Sequence, residues 1–445
     1  MTKADRSKLI ALGVEALADV LLELSLANSD VDDRIKRLLA TPEQNVKRYK
    51  DKLASLKRSR SFISWREAGA FVDQLEHMLN DLDAGICDPW VGVELVGKFF
   101  EADAAIFNRC DDSSGNIGNV FRFTAANQFV SFASRCEHKE KIADLVIKLN
   151  RQDDYGLRDC LFARASEYLP VGVMRAMIQQ LWILSEQAAD TSPMRHWNFA
   201  IQSLAKQLND APLFENAKRA FGETSVAGWI EIAQVYFKAG DPQMALSRLE
   251  NISTTESYML SERLHLLVEI HHQLGNLKEE TEYAWIIFKT YHSVDSLERL
   301  LAVIGAEQRD NVINDEIRVI SQRPSLSYAD ASFMLSVERI DELEHYLLQR
   351  IDQLDGNLYS TLVKYAEAFE QRDKLVMSSL IYRALVDSIL ARALSKYYHH
   401  AVKYLKKLDN IALRITDWQT VLSHADYLEL LREQHKRKSA FWSKY

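Results

Sequence analysis

Proline and glycine are scarce in this chain, which has 7 prolines and 15 glycines among its 445 residues. Because both residues interrupt helices, their scarcity favours a protein built mainly from α-helices. The sequence also lacks an apolar run of about 18 residues, so we expect no membrane-spanning helix and no membrane association. Its first residues lack the apolar core of a secretory signal peptide, which together with the cysteine pattern predicts a cytoplasmic protein.

Cysteine and motifs for catalysis are scarce as well. The four cysteines are widely separated, and no two of them have the Cys-x-x-Cys spacing: Cys87, Cys110, Cys136 and Cys160. This pattern is typical of reduced, mostly packed thiols rather than of a disulfide framework or a zinc site. The chain has no phosphate-binding Gly-x-x-x-x-Gly-Lys-Ser/Thr, no His-Glu-x-x-His, no Gly-x-Ser-x-Gly and no dinucleotide fingerprint. We therefore expect no cofactor, no bound metal and no catalytic activity.

The overall composition is that of a folded protein. The chain is 47% hydrophobic and 27% charged, values typical of globular domains rather than of disordered chains. The net charge of −8 disfavours nucleic-acid binding by the whole surface, but it leaves a local basic patch open. No segment shows the alternating pattern of a half-buried strand. We therefore expect an all-helical fold.

Residues 226–252 predict a helical hairpin. Apolar side chains in its first half recur at three- and four-residue steps and share one helix face: Trp229, Ile232, Ala233 and Tyr236. Gly240 can adopt the left-handed conformation that ends a helix. Asp241 can cap the second helix, and Pro242 suits its first position because no hydrogen bond is lost there.

A second copy of this pattern follows the first. Gly275 stands 35 residues after Gly240, which is close to the period of about 34 residues of the tetratricopeptide repeat. The order of a tryptophan, a small residue, a tyrosine and a glycine turn in the first copy also resembles that repeat. The second copy departs from it, because His271 replaces the tyrosine and Glu280 replaces the expected alanine.

The resemblance to this repeat implies a concave groove lined by defined positions of each first helix. Aligning the repeat on Trp229 and on Leu264 places seven residues at those positions: Gln234, Phe237, Lys238, Glu262, His265, Glu269 and His272. Polar groups at such positions suit the binding of a protein or peptide partner. A plain solvent-facing helix surface is the alternative interpretation.

The most basic stretch is the predicted helix that starts at Thr41-Pro42-Glu43. Five of its cationic residues are candidates for binding anions, such as the phosphates of a nucleic acid or an acidic partner: Lys47, Arg48, Lys57, Arg58 and Arg60. These cations are not confined to one face, and Tyr49, Leu53 and Leu56 supply an apolar stripe. A solvated face on a packed helix is therefore the alternative interpretation.

Three polar segments predict helix starts and turns. Ser64 predicts the next helix start, with Glu67 completing a capping box and Trp65 among the apolar residues of that helix. The acidic loop 111–116 lacks the donor spacing of a calcium loop, so it predicts capping of the helix that follows. The run 153–156 predicts a turn before a helix.

The densest group of possible proton-transfer or metal-binding side chains is the pair His399 and His400, which has three tyrosines nearby. Adjacent residues on a helix point about 100° apart, so the two imidazoles are poorly placed to share one metal. Burial of one histidine and exposure of the other is the expected arrangement. A catalytic role is the alternative hypothesis.

Several short segments resemble an uncharacterised bacterial family of all-helical proteins, and the C-terminal part is similar to the helical region behind SWIM-type zinc-binding domains. The segments are 56–65, 111–118, 154–156, 382–385, 397–401 and 424–442. The zinc-binding pattern itself is absent, because Cys136 and His138 lack the further cysteines of a tetrahedral site. The resemblance implies an all-helical body and no assigned activity.

Together these patterns predict an all-α protein, an α-solenoid-like stack of helical hairpins that is tetratricopeptide-like in its C-terminal half. We place an N-terminal helical region at 1–215 and the repeat region at 216–445, where the spacing becomes repeat-like. The leading hypothesis is a cytoplasmic scaffold or adaptor that binds a protein or peptide partner. The alternatives are a nucleic-acid-associated protein that uses the basic helix 47–60 and an enzyme centred on His399 and His400.

Overall fold

The protein is all-helical, as the sequence predicts. The computed structural model describes residues 3–188, 191–220 and 222–445. Within these ranges there is no strand, and the β-structure consists of an isolated parallel bridge between Ile63 and Cys110. None of the described helices is both long and apolar enough to span a membrane.

The chain divides into two compact units, Met1–Ile252 (unit 1) and Ser253–Tyr445 (unit 2). The α-helices of unit 1 in the described ranges are α1 (Lys3–Ala11), α2 (Val14–Ala27), α3 (Ser29–Leu39), α4 (Pro42–Arg58), α5 (Ala68–Gly85), α6 (Pro89–Phe100), α7 (Asp103–Phe107), α8 (Asn116–Asn119), α9 (Ala126–Arg135), α10 (Lys139–Arg151), α11 (Asp159–Ala163), α12 (Val171–Glu186), α13 (Thr191–Gln207), α14 (Ala211–Arg219), α15 (Val226–Lys238) and α16 (Pro242–Leu249). A π-helical segment, Val120–Ala125, joins α8 to α9.

The α-helices of unit 2 are α17 (Leu260–Leu274), α18 (Leu277–Thr290), α19 (Val294–Ile304), α20 (Arg309–Ser321), α21 (Tyr328–Ser336), α22 (Ile340–Leu348), α23 (Tyr359–Gln371), α24 (Leu375–Ala391), α25 (Tyr398–Ala412), α26 (His424–His435) and α27 (Ser439–Trp442). The domain boundary that the sequence spacing predicts between residues 215 and 216 stays a prediction.

Each unit has its own apolar core. Seven phenylalanines of unit 1 are fully buried: Phe99, Phe100, Phe121, Phe129, Phe132, Phe162 and Phe214. The largest fully buried side chains of unit 2 include Phe288, Phe333, Tyr346, Tyr365 and Tyr382. Full burial of a large apolar side chain contributes about 1.5–3 kcal/mol, so these rings anchor the helices of their unit to one another.

Consecutive helices pack against each other as helical hairpins, including α15 with α16 and α17 with α18. Gly240 and Gly275 end the first helix of these two pairs with φ angles of +84° and +72°, which glycine adopts at little steric cost. The Asp241 carboxylate accepts a hydrogen bond from the Met244 N–H at 3.0 Å, and Pro242 is the first residue of α16. The turn chemistry expected for this stretch is confirmed.

The chain after α4 departs from the prediction, because α5 begins at Ala68 and not directly after Ser64. The N–H and Oγ of Ser64 both donate to the same carboxylate oxygen of Glu67, at 3.0 and 2.7 Å. These bonds close a turn before the helix instead of opening the helix itself. Ile63, which precedes the turn, is held in a β-bridge, and Trp65 lies in the turn.

Candidate functional site

The four candidate residues of α17 lie on one face of that helix, since they recur at steps of three, four and three residues. Glu262, Glu269 and His272 are exposed, and His265 is half-buried. Neither glutamate has an ion-pair partner within the described part of the chain. Two uncompensated carboxylates therefore stand about 10 Å apart along the helix axis.

The two histidines of this face are already engaged in hydrogen bonds. His265 Nδ1 lies 2.7 Å from the Ser261 carbonyl oxygen, one turn earlier on the same helix. His272 Nδ1 lies 2.9 Å from the Glu280 carboxylate of α18. His272 thus joins the two helices of the hairpin, and the glutamates are the freer groups of the face.

The three candidate residues of the preceding hairpin lie in the C-terminal half of α15. Gln234 and Lys238 are exposed, and Phe237 is half-buried. They belong to unit 1, whereas the α17 residues belong to unit 2. Each set is therefore a surface of its own unit.

The candidate cations of α4 separate into two groups. Arg48 lies 3.1 Å from Asp33 of α3, which Lys52 also contacts at 2.7 Å. Burial alone would raise the pKa of Asp33, but the hydrogen bond and charge of Lys52, helped by Arg48, lower it. Arg48 is thus part of an internal ion network. The other four candidates are exposed and have no ion-pair partner among the described residues: Lys47, Lys57, Arg58 and Arg60.

Two exposed aromatic side chains directly after α4 were not predicted. Phe62 and Trp65 are each 64% exposed, and the Arg66 guanidinium lies 5.3 Å from the centroid of the Trp65 ring. The expectation that Trp65 belongs to the apolar residues of the next helix is wrong, because the chain forms a turn here. A signal was present in the sequence, since three cations precede the two aromatic residues and a fourth follows them between 57 and 66, without an acidic residue.

A buried arginine holds this exposed segment in place. The Arg109 side chain donates to the Ser61 carbonyl oxygen at 3.2 Å, and its backbone carbonyl accepts from the Ile63 N–H at 2.8 Å. The Ile63 carbonyl in turn accepts from the Asp111 N–H at 2.9 Å. The Arg109 guanidinium also lies over the Phe71 ring, 5.2 Å from its centroid. The two exposed rings are therefore presented by an anchored loop.

An open groove of about 1030 Å³ lies beside the same loop, with lining residues from α3, α4 and α5. Ser59, Ile63 and Arg109 belong to its lining. The apolar lining includes the buried side chains of Phe71 and Leu75. The groove can accommodate part of a chain-like ligand that reaches the loop.

The acidic loop 111–116 uses its carboxylates to bind its own backbone. Asp112 accepts hydrogen bonds from the N–H groups of Ile117 and Gly118, each at 2.9 Å. Asp111 accepts from the Ser113 N–H at 3.1 Å. Asp112 thereby fulfils the capping role predicted for the start of α8. In the described ranges no three or more His, Cys, Asp or Glu side chains are grouped so that they could hold a metal ion.

His399 and His400 lie side by side at the surface, at the start of α25. Both are exposed, so the expectation that one of them is buried is wrong. Their ring centroids are 3.9 Å apart, and His399 Nδ1 lies 2.9 Å from the Lys396 carbonyl oxygen. Local backbone bonding and ring contact account for this arrangement, which gives no support to a catalytic role.

An enclosed titratable cluster in unit 2 was not predicted. His292 Nδ1 lies 2.6 Å from Asp330 and its Nε2 lies 3.1 Å from Glu316, and Arg323 donates to Asp330 at 2.9 Å. Burial alone would lower the pKa of His292, but the hydrogen bonds that its ring donates to Asp330 and Glu316 raise it. Burial alone would raise the pKa of Asp330, but His292 and Arg323 lower it. Each charged group of this cluster pairs with a group of opposite charge, which is typical of a structural role in joining segments of the chain.

Comparison with known proteins gives a family but no characterised relative. No match was found among curated proteins or among solved structures. A family model matches residues 2–444, which is nearly the whole chain. The protein therefore belongs to DUF6880, a family of unknown function.

Proposed function

We propose that this protein is a cytoplasmic helical-repeat scaffold that binds a protein or peptide partner through the exposed face of α17. The observation that carries the proposal is the pair of uncompensated carboxylates, Glu262 and Glu269, on a helix packed in a hairpin with α18. The glycine turns at Gly240 and Gly275, spaced almost as in tetratricopeptide repeats, support a repeat organisation for 216–445. The four unpaired thiols support a reducing compartment.

Charge complementarity selects the chemistry of the partner. Complementary charges speed association and exclude wrong partners. The distance of about 10 Å between the two glutamates along the helix axis equals about three residues of a polyproline II chain, which rises about 3.1 Å per residue and points every third side chain the same way. The proposed ligand is therefore a segment in this extended conformation that carries two lysines or arginines about three residues apart.

The test measures the binding of labelled peptides in which two basic residues are separated by different numbers of residues. Full-length protein should bind best at a spacing of about three residues. Glu262→Gln combined with Glu269→Gln should weaken this binding by about tenfold or more, since two charge contacts are lost. His272 is left unchanged because it contacts α18.

A matched control removes two exposed glutamates elsewhere in unit 2, Glu282→Gln and Glu433→Gln. It should bind as the wild type does. Equal affinity of the wild type and the Glu262/Glu269 variant, or an equal loss in the control, would reject the face of α17 as the binding site.

We propose nucleic-acid association as a second candidate function. The exposed, unpaired cations at the C-terminal end of α4 and just after it favour it, because they sit in a stretch without an acidic residue. A gel-shift assay at low salt tests it, and the complex should weaken steeply as salt is added. Absence of a complex at low salt would remove this candidate.

A further inference from the structure

We infer that residues 57–66, the basic-aromatic segment, form a docking site for single-stranded nucleic acid. Bases would stack on Phe62 and Trp65, and the surrounding cations would hold the phosphates. The inference rests on the second candidate function and deepens it, because it names the form of nucleic acid and the side chains that select it.

The exposed rings provide the selectivity for single strands. Phe62 and Trp65 are each 64% exposed, which leaves much of their surface free to meet a planar ligand. Every base has a π-face, so aromatic rings bind single strands with little dependence on sequence. In a duplex these faces are stacked on one another. A single strand can therefore use the two rings, whereas a duplex offers the cations only its phosphates.

The charges of the segment match a phosphate backbone. It contains four cations and no acidic residue between 57 and 66. Lys57, Arg58 and Arg60 are exposed without an ion-pair partner among the described residues. Asp111, which the β-bridge brings alongside, directs its carboxylate to the Ser113 N–H at 3.1 Å. Glu67, the next residue after the segment, directs its carboxylate to the Ser64 N–H and Oγ, at 3.0 and 2.7 Å. The four cations therefore outnumber the one carboxylate that bonds to the segment.

The segment is held in position before any ligand arrives. The Arg109 side chain bonds to the Ser61 carbonyl oxygen at 3.2 Å, and the backbone of Ile63 bonds to residues on both sides of Cys110. Less conformational freedom is lost when a preorganised loop binds. The groove of about 1030 Å³ that includes Ser59 in its lining gives a bound strand a path away from the rings.

An acidic peptide is the competing ligand. It would pair with the cations, but it would leave both rings without a planar partner. A single strand engages cations and rings together, because each nucleotide carries a phosphate that can pair with the cations and a base that can stack on Phe62 or Trp65. The observations therefore favour nucleic acid over a protein partner at this surface.

Fluorescence anisotropy on the full chain tests the inference with oligouridine and oligothymidine of about 12 nucleotides, a length within the site sizes known for single strands. A duplex of the same length is the comparison. If the four cations each contact a phosphate, raising salt from about 50 to 200 mM should weaken single-strand binding by about 50-fold. The duplex should bind more weakly than either single strand.

The variants separate stacking from charge. Phe62→Ala with Trp65→Ala should weaken single-strand binding by at least about 30-fold, because two stacking contacts are lost, while Trp65→Phe retains most of the affinity. Phe199→Ala is the matched control, because Phe199 is an exposed phenylalanine of unit 1, at 67%, and its loss should have no effect. Replacing Lys57, Arg58 and Arg60 by glutamine should reduce the slope of log affinity against log salt concentration by about 2.

Three results would overturn the inference, and they are distinguishable. Equal binding of duplex and single strands, unaffected by loss of both rings, would leave phosphate binding but reject stacking. Displacement of the oligonucleotides by polyglutamate of the same charge and at equal concentration would assign the surface to an acidic protein. No complex with any nucleic acid at about 50 mM salt would reject the second candidate function together with the inference.

Discussion

His292→Gln measures how much the buried cluster of unit 2 contributes to its stability. The His292 side chain is 3% exposed and lies 2.6 Å from Asp330 and 3.1 Å from Glu316. Glutamine removes the positive charge and leaves two buried carboxylates with Arg323 alone to neutralise them. Removing one partner of a buried ion pair costs about 3–5 kcal/mol. For a unit of roughly 150–250 residues this lowers the melting temperature by about 6–20 °C.

The directions of the pKa shifts set the sign of the pH dependence. Burial opposes the charge of His292, but the two carboxylates outweigh it and raise its pKa. The stability that His292 contributes is therefore fully present below its pKa in the unfolded chain, about 6.5. This stability is lost as the pH rises through the raised pKa of the folded state. The pKa of Asp330 is lowered against the effect of burial. The stability that Asp330 contributes is therefore fully present above the pKa of an unfolded aspartate, about 3.9, and is lost as the pH falls through the lowered pKa of the folded state.

Differential scanning calorimetry from about pH 2 to pH 9 tests both the magnitude and the sign. The control is His345→Gln, because His345 is an exposed histidine of α22. The free energy of unfolding of this variant should stay within about 0.5 kcal/mol of that of the wild type. The His292 variant should melt lower near pH 6 and lose less stability than the wild type above that pH. The prediction would be refuted if the His292 variant melted at the wild-type temperature near pH 6, or if it lost as much stability as the wild type at alkaline pH.

Three further substitutions test packing and capping by urea unfolding. Asp103→Asn leaves the buried Arg158 guanidinium, 2.7 Å away, without a charged partner and should cost about 3–5 kcal/mol; a loss below about 1 kcal/mol would contradict this. Gly356→Ala places a Cβ 2.3 Å from the Ser388 Cβ and should destabilise unit 2 by about 1–3 kcal/mol, so unchanged stability would argue against this packing. Asp241→Ala removes a helix cap and should cost about 1 kcal/mol, whereas a neutral effect would mean that the cap contributes nothing.

The features that the sequence predicts well depend on neighbours along the chain. Gly240 ends a helix and Asp241 caps the next one because both effects act within one turn. The scarcity of proline and glycine likewise predicts helices throughout. Trp65 shows the limit of such local rules. Its exposure depends on a turn next to the β-bridge of Ile63, and the partner residue of that bridge, Cys110, lies more than 40 residues later in the chain.

The candidate surfaces show the same division between local and distant determinants. Spacing alone places Glu262 and Glu269 on one face of α17, and both are exposed. Composition identifies the basic helix, but it does not reveal that Arg48 pairs with Asp33 of another helix. The cluster around His292 joins residues from three segments, each unremarkable by itself. Pairing across helices has no periodic signal in a single sequence.

The central claim, that α17 presents the partner-binding face, is tested most directly by photo-crosslinking. A benzophenone side chain at Gln273, which is exposed and one turn beyond Glu269 on the same face, leaves both carboxylates intact. The same group at Glu282 of α18 is the control. We expect the best-binding dibasic peptide to crosslink from position 273 and not from position 282. Crosslinking from 282 alone, or from neither position while the peptide remains bound, would contradict the claim.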